Sequence, residues 1–176
     1  MIQRTDEELV VSYRAGDEIA ADELVRRHAD SLGRYVRATG AMPGEVEDLV
    51  QEAFFRAFKA LDSWRGDAPF RAWLFRIGAN LTKDAFRRQK GRVVVPIDDH
   101  DMADSSDPEG EAGANEIEAR LMAELARLPR LQRDVFLLRA QQGLEYSAIS
   151  TALGTTPGAA RVHYHNAVKR LKEKVQ

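Results

Sequence analysis

Between Asp98 and Glu111 the chain reads Asp98-Asp99-His100-Asp101-Met102-Ala103-Asp104-Ser105-Ser106-Asp107-Pro108-Glu109-Gly110-Glu111, which is acidic, small and nearly free of large apolar side chains. Such a run cannot bury enough surface to offset the entropy lost on ordering it, so it reads as a linker. On either side apolar residues recur at helical intervals, and no segment sustains the two-residue alternation of a strand. The expectation is an all-α chain of two small helical domains, 1–91 and 116–176, joined by an acidic flexible linker over 92–115.

In the first half two helices lie within Glu7 to Ala38, broken at Gly16-Asp17. Leu9, Val10 and Tyr13 share a face of the first, and Ile19, Leu24, Val25, His28 and Leu32 recur along the second. Gly40, Pro43 and Gly44 mark a turn. A third helix is expected from Val46 to Leu61, its apolar stripe formed by Val46, Leu49, Val50, Ala53, Phe54, Ala57 and Leu61. After a polar loop at Ser63 to Ala68, Pro69 suits the first turn of a fourth helix reaching about Gln89. In the second half Ile117, Leu121, Leu125 and Leu128 mark a helix that ends before Pro129. Another spans Leu131 to Gln142, with Val135, Phe136 and Leu138 inward and Gly143 as its stop. A short helix, Tyr146 to Leu153, a turn at Gly154-Thr155, and a last helix capped by Thr156 with Pro157 at its first position make a helix-turn-helix.

The formal charge of −2 hides a split: 0 over residues 1–90, −8 over 91–119 and +6 over 120–176. A basic terminal segment beside an acidic one points to a polyanionic partner. From Trp64 to Arg92 rings alternate with cationic heads, the chemistry by which unpaired bases stack while phosphates are neutralised, although rings at this spacing also suit a core. With no Cys, disulfides and thiolate metal sites are excluded; His163 and His165 diverge on a helix and His28 and His100 stand apart, so no metal site is expected. No signal-peptide core or bilayer-length apolar run is present, so a cytoplasmic protein without membrane association is expected. No nucleophile–base pair, Gly-rich phosphate loop or metal-ligand spacing suggests an enzyme or a cofactor.

A helix-turn-helix lays its second helix in the major groove. With Ala160, Tyr164, Ala167, Val168 and Leu171 inward, Arg161, Val162, His165 and Asn166 are left to face DNA, with His163 beside them. Arg can present a bidentate pair to guanine and Asn to adenine. Lys169, Arg170, Lys172 and Lys174 carry positive charge onward, for phosphate contact or for the helix dipole.

Two sets of motifs resemble the extracytoplasmic-function (ECF, group IV) sigma factors of the sigma-70 family. Asp48-Leu49-Val50-Gln51-Glu52-Ala53-Phe54, Trp64 through Ile77, Asn80 and Asp84 follow the family's region 2 in order and spacing. Leu128-Pro129, Arg133-Asp134-Val135-Phe136, Gly143-Leu144, Tyr146, Ile149 and Gly158 follow region 4. The resemblance implies a factor that directs promoter-specific transcription initiation, with core RNA polymerase (β′ clamp helices and β subunit) and promoter DNA, both duplex and single-stranded, as partners. Asp48, Gln51, Glu52 and Phe55 would dock on the clamp helices. Ala60, Leu61, Trp64, Arg65, Phe70 and Asn80 would hold a base flipped from the melted −10 element, with Arg76, Lys83, Arg87 and Arg88 along its backbone; Trp73 is either a wedge at the duplex edge or core. Tyr146, Ser147, Arg161, Val162, His163, His165, Asn166, Lys169 and Arg170 would read the −35 duplex. Positions 163 and 166 are usually Arg in the family, and Ala148 stands where an acidic residue is common, so the −35 sequence read is expected to differ or to depend more on shape.

An anti-sigma protein is a further partner the family implies. The acidic linker is a second candidate for regulation, by associating with the basic last segment in the free chain. The competing function is a stand-alone helix-turn-helix regulator that binds duplex DNA without polymerase, which leaves Trp64 to Arg92 without a role.

Overall fold

Thr5 opens the first helix with a reciprocal cap: its hydroxyl accepts from the Glu8 N–H at 3.1 Å, and the Glu8 carboxylate accepts from the Thr5 N–H at 2.7 Å. The computed structural model describes residues 2–92 and 114–175. Among the described residues eight helices follow in order: α1 (Asp6–Arg14), α2 (Glu18–Ala38), α3 (Val46–Lys59), α4 (Phe70–Arg92), α5 (Ala114–Arg127), α6 (Arg130–Phe136), α7 (Tyr146–Leu153) and α8 (Pro157–Val175). Among the described residues there is no strand, and no helix is long and apolar enough to cross a membrane. The acidic run 98–111, and with it the suggested association of that run with the last segment, lies outside the described residues.

The first four helices pack around Leu24, Leu32, Tyr35, Ala53, Phe54, Phe70, Leu74 and Phe75, all buried. Gly78 of α4 lets that helix close on α2, because a Cβ there would stand 2.8 Å from Leu32 Cδ1. Helix α3 stops at Lys59, earlier than its apolar stripe suggests, and Leu61–Ser63 form a separate 3-10 turn. Ile19 and Ile117 were expected inward, but they are 69% and 64% exposed. Ile19 points away from the buried face of α2, which begins at its fully buried neighbour Ala20, and Ile117 lies in the first turn of α5, before the residues that pack.

In the second half α5, α6 and α7 all pack on α8. The expected single helix over Leu131 to Gln142 is instead α6 followed by a π-helical turn at Leu137–Gln141, in which the Gln142 N–H reaches back to Leu137 O at 3.1 Å. Gly154, at φ +69°, ends α7 in the left-handed region that a residue without Cβ enters freely. The Thr156 hydroxyl then accepts from the Ala159 N–H at 3.1 Å to start α8.

The halves do not stand apart. Helix α7 packs on α4, and α5 and the π-helical turn pack on α2. Arg130 donates to Ala79 O at 3.2 Å and Gln142 to Ser31 O at 3.4 Å across the seam. Composition predicts two units on a tether; it contains no signal that their faces fit.

Candidate nucleic-acid interface

Trp64 decides the shape of the loop between α3 and α4. Its ring is nearly buried, its Nε1–H donates to Ala68 O at 3.1 Å, and its edge meets the Phe70 ring at 6.1 Å between centroids. Phe70 in turn lies against Trp73 at 6.0 Å and His28 at 5.9 Å. The polar rim of the loop, Arg65 and Asp67, is exposed. A cavity of about 200 Å³ opens there, lined by Ser63, Trp64, Arg65, Trp73 and Arg76 among others.

The residues expected to hold a base therefore divide. Ala60, Arg65 and Asn80 are exposed, and Trp73 is half-buried with a place on the cavity wall. Leu61 and Phe70, at 2% and 0% exposure, face the core and support the loop from beneath; Leu61 was expected beneath it, Phe70 within the base-holding loop itself. Phe75, buried beside Tyr35 with ring centroids 5.1 Å apart, is core as well. Beyond the cavity Arg76, Asn80, Lys83, Arg87 and Arg88 stand exposed along α4, a cationic ridge of the kind that follows a phosphate backbone.

The far wall of the cavity comes from the other half of the chain. Thr151 and Ala152 of α7 line it, so the first helix of the helix-turn-helix covers the loop. Asp134 of α6 is buried between Arg130 at 3.6 Å and Arg133 at 3.5 Å. Burial pushes its carboxyl above the ordinary value, against the pull of Arg133 and Arg130. Burial and the nearby Asp134 charge likewise push the Tyr35 phenol well up. The Tyr35 hydroxyl, Arg133 Nε and Asp134 Oδ1 have no hydrogen-bond partner.

On α8, Arg161, Val162, His165, Lys169 and Arg170 are exposed, and His163 and Asn166 are half-buried. Val162, 58% exposed, is an apolar side chain left in the open on this face. Tyr146 is half-buried and braces it: its ring packs at 6.2 Å from that of Tyr164, with the guanidinium groups of Arg161 at 5.2 Å and Arg139 at 4.7 Å over it. The Ser147 side chain is exposed, while its carbonyl accepts from Ser150 and Thr151 inside α7. Ala148 is buried, which suits a small apolar residue better than a carboxylate. On α3, Asp48, Gln51, Glu52 and Phe55 form one exposed face; Glu52 pairs with Arg56 at 2.9 Å, and Lys59 lies over the Phe55 ring at 5.9 Å.

One functional candidate escaped the sequence reading. Arg14, the last residue of α1, donates through Nη2 to Leu61 O at 2.6 Å and to Trp64 O at 3.0 Å. Its acceptors lie 47 and 50 residues away and are main-chain carbonyls, which leave no mark in a sequence.

Two family models match the chain: Sigma-70 region 2 over residues 24–92 and Sigma-70, region 4 over residues 118–171. The RNA polymerase sigma factor NccH of Alcaligenes xylosoxydans xylosoxydans is 33% identical, over 97% of this chain and 95% of the relative. The ECF RNA polymerase sigma-E factor of Escherichia coli (strain K12) is also 33% identical, over 99% of this chain and 96% of the relative. Among solved structures, CnrH in complex with the cytosolic domain of CnrY matches with a TM-score of 0.74 at 29% identity, covering 96% of this chain and 95% of that one.

Proposed function

Since the chain belongs to the ECF sigma factors of the sigma-70 family and so directs RNA polymerase to promoters, we propose that its two halves divide the promoter between them. The first half takes the melted −10 strand. A base enters at the cavity rimmed by Arg65, Trp73 and Arg76, and the strand runs along Asn80, Lys83, Arg87 and Arg88. Trp64, Phe70 and Leu61 keep the loop in shape. Capturing an extruded base offsets the unpairing cost and draws the duplex open. The second half reads the −35 duplex through Arg161, Val162, His165 and Asn166, with Lys169 and Arg170 on phosphates and Tyr146 holding Arg161 in place. His163 and Ser147 flank that face.

Asp48, Gln51, Glu52 and Phe55 are the docking face for the clamp helices of core polymerase. With transcription as its setting, the protein works in the cytoplasm and carries out no catalytic step of its own. An anti-sigma protein is the further partner, supported by the complex in which CnrH was solved. The observation that carries the assignment of the strand site is the exposed cationic ridge of α4 leading out of an aromatic-walled cavity. A regulator confined to duplex DNA has no use for it.

Thr151 and Ala152 take up one wall of that cavity, so a strand seated there meets α7 unless α7 moves away from α4. Reconstitution with core RNA polymerase on a template library with a randomised promoter tests the reading. Run-off transcripts enriched at two separated sequence blocks are expected. A chain that retains duplex DNA but never binds core would make the stand-alone regulator the better description.

A further inference from the structure

The loop that shapes the strand cavity is held at its entry by a residue from outside the region 2 match, since Arg14 precedes residue 24. Its guanidinium makes two hydrogen bonds, to Leu61 O and Trp64 O, which bracket the 3-10 turn Leu61–Ser63. Leu61 O also accepts from the Trp64 N–H at 3.1 Å, so Arg14 closes a small knot in which both ends of the turn share donors. The same group lies 6.0 Å from the Trp64 ring and 3.9 Å from the exposed Asp62 carboxylate. Next to it Tyr13 packs on Phe58 of α3 with ring centroids 5.2 Å apart, which fixes the end of α1 against the end of α3. Downstream of the knot, Trp64 Nε1 ties the other side of the loop to Ala68 O.

We infer that Arg14 is a positioning residue for strand capture: by clamping Leu61 O and Trp64 O it sets the width of the base cavity and thereby which base the loop accepts. The inference rests on the assignment of the −10 strand to this cavity. Both bonds leave from Nη2, whose two N–H groups are fixed in the guanidinium plane, whereas a Lys ammonium is a rotating point charge on a flexible stem. R14K therefore keeps the charge and loses the fixed direction of the donors. Arg14 itself touches no DNA; it acts through Trp64.

The test uses full-length R14A and R14K with core RNA polymerase and the randomised promoter library, sequencing the run-off transcripts. In R14A the enrichment of the preferred base at the −10 block is expected to fall about tenfold, as expected for loss of a charge-assisted pair of hydrogen bonds. R14K should lie between R14A and the parent chain. The −35 block and the affinity for core should stay unchanged, a pattern that general destabilisation does not produce. An unaltered −10 profile in R14A overturns the inference, as does an equal loss at both blocks. If the parent chain itself enriches no −10 block, the strand-capture assignment fails first.

Discussion

Asp6 shows how a single side chain on α1 joins two helices. Its carboxylate accepts from Arg27 at 3.1 Å and from the His28 ring at 2.7 Å, both on α2. Burial pushes its pKa up, but the hydrogen bonds and charges of His28 and Arg27 outweigh that and hold it below the ordinary 3.8. The native state thus releases this proton more readily than the unfolded chain. The stabilisation is fully present above the ordinary value and is lost as pH falls through the lower native one. Replacing Asp6 with Asn is expected to cost about 1–2 kcal/mol at neutral pH, since both bonds lose their anionic acceptor and the Arg27 guanidinium its counter-charge. Urea unfolding of the parent chain and the variant over a pH series checks this, and the gap between them should close on acidification below the native pKa. Because α1 also carries Arg14, D6N should loosen the clamp on Leu61–Trp64 as well.

At the scale of elements, the turn between α7 and α8 is the most exacting. Gly154 sits at φ +69°, where a side chain costs about 1–2 kcal/mol, so Gly154→Ala should lower stability by that amount. Unfolding midpoints measure it. In the library selection the −35 block should weaken more than the −10 block, because the turn aims α8. This turn was legible beforehand, since glycine, the Thr156 cap and Pro157 each carry a local reason. So were the stripes of α3 and α8, where the buried residues keep helical spacing. The exposure of Ile117 was not legible, since a period says which residues share a face but not where the neighbouring helix ends, whereas Ile19 is off the face that Ala20, Leu24, His28 and Leu32 share. Nor was the fate of Phe70: an aromatic ring suits a base or a core equally, and what decides is His28, from a helix far upstream. The cavity wall given by Thr151 and Ala152 depends on a seam between halves that no local pattern encodes.

For the whole molecule, the main feature is that the two halves pack against each other. The seam is apolar in part and encloses the Tyr35 hydroxyl without a hydrogen-bond partner, an unfavourable contribution of about 1–3 kcal/mol, beside the Arg133–Asp134 pair at 3.5 Å. Core polymerase taking hold of the outer face of α3 is expected to separate it. The chain has no Cys, so donor and acceptor dyes placed at R71C and T155C label only those sites. Energy transfer should be high in the free chain and fall on adding core polymerase; an unchanged signal in a complex that still initiates transcription would exclude separation as a required step. The fastenings of the seam have one more property. Arg130 and Gln142 both donate to carbonyls of the main chain, Ala79 O and Ser31 O, and a carbonyl is present whatever amino acid occupies the position. Mutations on the first half therefore cannot delete these acceptors, although Ala79, buried in the core, must stay small for its carbonyl to remain in place. The dependence of these two bonds is lopsided: their donors are side chains of the second half alone, so descendants can vary the exposed strand-reading surface of the first half while keeping both fastenings.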